Sequence, residues 1–242
     1  MPSTKIQLMG HATFKVTTPE NKIIIVDPWL TGNTFMPEEL KKFDDTDLFL
    51  ITHGHDDHFD LEVLDVIKNG QTKIIANSMV RWYLIENHCP LSAIEAMNLG
   101  GSVSILGCTV TMVNAFHTSH INISETQARF AHNAVGFILQ LSDDTCIYFA
   151  GDTCVFGDMK LIADIYKPNI AVLPIGDRYT MGPVEASHAI RLLNVKSVIP
   201  FHYGTFKQLT GTPEKLRELT NDISGLKIHA LQPGEILDAL NK

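Results

Sequence analysis

Residues 53–58 read His-Gly-His-Asp-Asp-His and follow directly on the apolar stretch D-L-F-L-I-T. Three imidazoles and two carboxylates in six positions are the donor set of a metal site. Neutral imidazole with carboxylate is a typical ligand combination for zinc, and also for manganese, iron, cobalt or nickel. On a strand, residues i and i+2 point to the same side, so His53 and His55 can converge on one point where strand geometry persists past Thr52. Gly54 carries no side chain and leaves room for close approach of backbone or ligand. Asp57 and His58 come where the chain turns into a helix and can face a second point, so the spacing suits two adjacent cations. The plain alternative is a solvated loop in which Asp56, Asp57 or Asp60 caps the next helix. That alternative suits Asp56, the variable position, better than the cluster, because so many polar groups at the end of an apolar strand are costly to desolvate without a cation.

A dinuclear centre needs more ligands than one hexapeptide supplies. His117 follows a strand predicted over 109–115, Asp152 one over 145–150, and His202 one over 197–200. A lone histidine after a strand is usually a packing or capping residue. Three such residues at strand C-termini can instead share one rim with the hexapeptide.

The elements that must position these groups follow from the hydrophobic pattern. Strands are predicted over 5–9, 13–18, 22–27, 46–52 and 73–76, with helices from near Asp60 to residue 68 and over about 78–88. A second strand-rich block covers 103–106, 109–115, 135–141 and 145–150. Helix 157–166, strand 169–174, helix 183–193, strand 197–200, helix 213–221 and one or two closing strands complete the chain. Two meander-like blocks, each followed by β/α alternation, predict an α/β (α+β) protein in which two sheets pack together with helices outside them. Neither a repeat nor a low-complexity linker interrupts the 242 residues, so a single domain over 1–242 is expected.

Composition narrows the function. Hydrophobic residues make up 45% and charged ones 19%, an ordinary globular balance. The apolar runs are far shorter than a membrane span, and the start lacks a basic segment followed by an apolar one, so neither membrane insertion nor secretion is expected. Four cysteines without a C-x-x-C pair predict reduced thiols in a cytoplasm. A net charge of −8 with dispersed Lys and Arg argues against extended nucleic acid as a partner, while leaving room for a small phosphate held locally. The expected partner is a small-molecule substrate, and the sequence is compatible with a homo-oligomer.

The hexapeptide with His117, the Gly-Asp at 151–152 and the F-H-Y-G-T histidine resembles, in order and along essentially the whole chain, the metal motifs of the metallo-β-lactamase superfamily. G-H-A-T-F at 10–14, D-P-W-L at 27–30, A-G-D-T at 150–153, L-P-I-G-D-R-Y-T-M-G-P-V-E-A at 173–186 and P-F-H-Y-G-T-F at 200–206 are similar to small metal-dependent hydrolases related to ascorbate-6-phosphate lactonase. The resemblance implies a four-layered αββα sandwich. It also implies that His53, His55 and His117 hold one metal, that Asp57, His58 and His202 hold the second, and that Asp152 bridges them.

The expected reaction is hydrolysis of a small ester, lactone or phosphoester by a hydroxide shared between two divalent ions, zinc first, without a catalytic serine or cysteine. Asp57 and His11 are the candidate catalytic residues, His11 as a group leaning over the metals. Asp27 ends a strand and can orient a ligand imidazole. Asp177 and Arg178 are candidates for binding an anionic substrate, against a turn held by a salt bridge. His120 and His132 flank a polar stretch that can form a mobile lid over 118–133 and contact substrate, against surface histidines. His188 reads as a helix histidine and Cys154 as a small apolar side chain. The rival readings are an RNA or phosphodiester nuclease on the same scaffold and a non-catalytic metal-binding protein; an antibiotic-hydrolysing lactamase and an electron-transfer protein fit less well.

Overall fold

The computed structural model describes residues 3–67, 72–124 and 127–241. In chain order its elements are strands β1 (Lys5–Gly10), β2 (Thr13–Thr17), β3 (Ile23–Val26) and β4 (Leu48–Ile51), helix α1 (Val63–Ile67), β5 (Lys73–Ala76), α2 (Ser78–Glu86), β6 (Ser102–Ile105), β7 (Cys108–Ser124), β8 (Gln127–Gln140), β9 (Cys146–Phe149), α3 (Met159–Tyr166), β10 (Ile170–Pro174), α4 (Pro183–Leu193), β11 (Ser197–Phe201), α5 (Pro213–Leu219), β12 (Lys227–Ile228) and β13 (Ile236–Asp238). They build one six-stranded sheet, β13-β1-β2-β3-β4-β5, and one seven-stranded sheet, β12-β11-β10-β9-β8-β7-β6.

The period-2 alternation of these strands sorts their side chains into three buried layers. Ile24, Val26, Leu48 and Leu50 of the first sheet face Val110, Phe137, Phe149 and Ile199 of the second in a central core. The alternate residues Ile25, Phe49, Ile51 and Ile74 face the other way, onto Val63, Val66, Val80 and Leu84 of α1 and α2. Tyr148, Ala171, Leu173 and Val198 on the far side of the second sheet meet Met159, Ala186, Ile190 and Leu216 of α3, α4 and α5. The result is the αββα order, and it explains why β4 reads as the unbroken apolar run L-F-L-I: both of its faces are covered. Phe14 sits between the sheets with its ring centroid 5.8 Å from Phe149 and 5.9 Å from Phe201. Fully burying such a ring contributes about 1.5–3 kcal/mol.

β3, β4 and β5 run parallel, as do β9, β10, β11 and β12. Parallel strands end on the same edge, and the backbone N–H of Val135 on β8 donates to Thr52 O just beyond β4, which ties the two edges together.

Two expectations are corrected. The stretch expected as a lid over 118–133 is the distal half of a hairpin in which β7 and β8 stay paired, with Ser119 opposite His132 and Ile121 opposite Arg129. Its polar composition hides its alternation: Ile121 is buried, and Phe130 packs on Tyr83 of α2 with centroids 5.5 Å apart. Ladder hydrogen bonds and β-branched residues suffice to extend a strand that a hydrophobicity pattern misses. Glu125 and Thr126, within the stretch expected as a lid, lie outside the described residues. The helix expected from Asp60 begins at Val63, and Lys68 at its predicted end lies outside the described residues. Asp60 instead accepts from the backbone N–H groups of Leu30 and Thr31, pinning the loop after β3. No described helix is long and apolar enough to cross a membrane.

Candidate metal centre

Four strands of the two sheets deliver side chains to one rim, and each is followed by a left-handed backbone residue. His11 (φ 53°) follows β1, Asp27 (φ 50°) follows β3, Gly151 (φ 62°) follows Ala150 beyond β9, and His202 (φ 56°) follows β11. For residues other than glycine this conformation costs about 1–3 kcal/mol and persists where the surroundings over-determine it. At Gly151 a Cβ would lie 2.7 Å from the carbonyl oxygen of Val135, so only glycine lets the chain pass here to present Asp152. At Gly54 a Cβ would lie 2.4 Å from Cγ1 of Ile121, which explains the glycine between His53 and His55.

The side chains form two groups. His53 Nε2 and His117 Nε2 stand 3.1 and 3.3 Å from His55 Nδ1. In the other group, His202 Nε2 lies 3.6 Å from Asp57 Oδ2, and His11 Nε2 lies 3.1 Å from the same oxygen. Asp152 stands between them: Oδ1 is 3.4 Å from His58 Nε2, while Oδ2 is 3.3 Å from His202, 3.7 Å from His117 and 3.9 Å from His53.

These residues fit divalent cations on three grounds. Ligand atoms about 2.0–2.1 Å from a tetrahedral zinc are roughly 3.3 Å apart, close to the spacing of the His53, His55 and His117 nitrogens. His58 Nε2 and Asp152 Oδ1 are buried yet have no hydrogen-bond partner, and buried polar atoms without partners are rare. Finally, burial pushes the pKa of His53 and His117 down, and that of His55 down to about 4, which keeps these imidazoles in their ligating neutral form. His58 goes the opposite way: burial disfavours its charge, but the Asp152 and Asp27 carboxylates outweigh burial and raise its pKa well above the ordinary value. The buried Asp152 thus sits where compensating positive charge is required.

The imidazoles are aimed from behind. Asp27, 2% exposed, accepts from the backbone N–H of Thr52 at 2.8 Å, from Thr52 Oγ1 at 2.9 Å and from His58 Nδ1 at 2.9 Å. Thr52 Oγ1 also stands 2.9 Å from His53 Nδ1. With that hydroxyl donating to Asp27, it accepts the His53 Nδ1 proton, leaving Nε2 of both His53 and His58 as the ligating atoms.

His11 is buried beside Asp57 and His202: its ring lies among Trp29, Phe35, His202 and Phe206, and Nδ1 stands 2.7 Å from Thr205 Oγ1. If Nε2 donates to Asp57, Nδ1 accepts from Thr205, and the carboxylate is held from its inner side. His11→Phe is therefore expected to weaken metal binding by the Asp57, His58 and His202 group by about 10–100-fold. Competition against a chelating dye measures this; unchanged affinity would remove His11 from the centre.

The substrate-binding candidates fall differently. The His120 ring lies 5.2 Å from that of His55, and His132 stands beside Gly54 but commits Nδ1 to the carbonyl of Phe130. Among the described residues Asp177 and Arg178 form no hydrogen bond to the cluster, and their bonding is local. Asp177 accepts from the backbone N–H of Arg178, and the Arg178 guanidinium lies 5.7 Å from the centroid of the Tyr179 ring. Both have positive φ, a conformation that suits Asp177 but does not favour arginine at 178. Sequence reasoning missed Thr52 and Thr205; the first directly precedes His53 at a strand end, while the second has no local signal.

Comparison with known proteins identifies the family. The family model described as Beta-lactamase superfamily domain matches residues 5–202. A metal-dependent hydrolase of Rubrobacter xylanophilus is 43% identical over 239 residues, covering 97% of this chain and 96% of its own. One from Herpetosiphon aurantiacus is 40% identical over 237 residues, covering 97% and 98%. Among solved structures, a metallo hydrolase from the archaeon Ignicoccus hospitalis superposes with a TM-score of 0.80 at 27% identity, covering 97% of each chain.

Proposed function

The chain belongs to the metallo-β-lactamase superfamily, alongside relatives that are metal-dependent hydrolases, and we propose that it hydrolyses a small ester, lactone or phosphoester at a dinuclear metal centre. The observation that carries this reading is the place of Asp152 between two imidazole groups, within 3.9 Å of His53, His58, His117 and His202. His53, His55 and His117 would hold one ion and Asp57, His58 and His202 the other, with Asp152 shared. Zinc suits the donor set, and manganese, iron, cobalt or nickel share it. When bound, such a pair supplies an acidified water and positive charge opposite the negative charge that develops on the substrate oxygen.

The residues do the rest. Asp27 and Thr52 keep two imidazoles in register. Asp57, whose side chain is 28% exposed, opens toward solvent, and Oδ2 beside His11 Nε2 is where a proton from the attacking water would be received. A reducing cytoplasm suits a chain whose four cysteines form no C-x-x-C pair.

Protein loaded with zinc or manganese is expected to bind two equivalents of metal by plasma mass spectrometry. It should turn over at least one class in a panel of lactones, carboxylic esters, phosphomonoesters and phosphodiesters, and chelation should remove the activity. Two bound equivalents without turnover on any class would leave a non-catalytic metal-binding protein. Turnover confined to RNA and phosphodiesters would assign the nuclease reading.

A further inference from the structure

Two cavities flank the candidate metal centre, and among the described residues neither is lined by Lys or Arg. One, of about 260 Å³, lies against His11 and His202 and is walled by Leu8, Phe35, Phe201, Leu231 and Pro233. Apart from the two imidazoles, none of its described lining side chains is a Lys, Arg, Asp or Glu. The other, of about 360 Å³, borders Gly54 and Trp29 and carries the carboxylates of Asp56, Asp60 and Glu62.

We propose that the smaller cavity receives the acyl chain of a neutral carboxylic ester or lactone, and that phosphoesters are not the substrate class. This rests on the hydrolase reading and narrows it. A phosphate ester carries up to two negative charges at neutral pH and is normally met by Arg, Lys or backbone donors. Apart from the metal ions themselves, it would find an uncharged wall on one side and, on the other, the Asp60 carboxyl with the exposed carboxylates of Asp56 and Glu62, and no described Lys or Arg to meet it. An apolar chain instead gains from the aliphatic and aromatic wall. At roughly 30 Å³ for a water-sized group, the cavity has room for about eight such groups. In the reaction the water oxygen bonds to the carbonyl carbon and the ester C–O bond breaks. One water proton ends on the departing alcohol oxygen, so acid and alcohol leave without a redox partner.

The test has two arms on the full chain. With metal-loaded protein, kcat/KM for p-nitrophenyl esters is expected to rise about fourfold per methylene, the ratio that about 0.8 kcal/mol represents, from acetate to about hexanoate. It should exceed that for p-nitrophenyl phosphate at least 100-fold, and Leu231→Trp should move the optimum back toward acetate. With metal-free protein, methyl NMR should show 2-heptanone shifting Leu8 and Leu231 while inorganic phosphate leaves both unmoved; this arm holds even where Leu231→Trp fails to fold. Preference for the phosphate ester, or Leu8 and Leu231 methyls unmoved by the ketone, would overturn the proposal. Ketone-induced shifts without turnover on any substrate would support the cavity's assignment while overturning the hydrolase reading.

Discussion

Asp152→Asn protein is expected to retain less than one equivalent of metal after dialysis, against two for the parent, and to lose about 10²–10⁴-fold in kcat/KM, the equivalent of about 3–5 kcal/mol of transition-state stabilisation. The size of the effect follows from position. Asp152 is 2% exposed, and its two oxygens stand within 3.9 Å of four imidazoles drawn from both ligand groups. Asparagine keeps the shape of the side chain and removes its charge, so the loss reports electrostatics rather than packing. In the parent, burial opposes ionisation of Asp152, but the imidazoles packed against it, His202 and His58 first, outweigh burial and hold the carboxyl well below the ordinary range. Plasma mass spectrometry counts the metal, and circular dichroism of the metal-free variant confirms the fold. A folded variant that kept two equivalents and full activity would remove Asp152 from the centre.

The second large effect is expected at Asp27, which need not touch a metal. Asp27→Ala removes the acceptor of His58 Nδ1, the acceptor of the Thr52 hydroxyl that meets His53, and the partner of the buried Thr52 N–H. Loss of such an outer partner typically weakens metal affinity about 10–100-fold, and here one side chain serves an imidazole in each group, so both equivalents should weaken together. The unpaired Thr52 groups add about 1–3 kcal/mol of destabilisation, visible as a lower melting temperature of the metal-free protein. Thr52→Val separates the two arms. It breaks the link to His53 while leaving His58 on Asp27, so only the ion held by His53, His55 and His117 should loosen. Equal loosening of both ions by Thr52→Val would mean that Asp27 does not act through separate arms.

Much of this was legible along the chain because it is local. H-G-H-D-D-H places its donors by strand and turn geometry over six residues, and alternation in strands such as I-I-I-V and L-F-L-I announces layers that bury both faces. His117, Asp152 and His202 were readable for the same reason, as polar residues placed just where an apolar run stops. The distal hairpin was not, because Thr118–Asn133 pairing is held by backbone ladders and by Phe130 against Tyr83, neither of which leaves a hydrophobic period.

The sequence by itself determined the kinds of ligand, their order at strand ends and the sandwich that carries them, since each depends on near neighbours in the chain. Only the tertiary structure decided which of them meet. Asp152 reaches imidazoles of both groups, Asp27 meets His58 across 31 positions, and His11 pairs with Thr205 across 194, because parallel strands of two packed sheets end on one rim. Register and layer packing set those distances, and no spacing within a single strand encodes them.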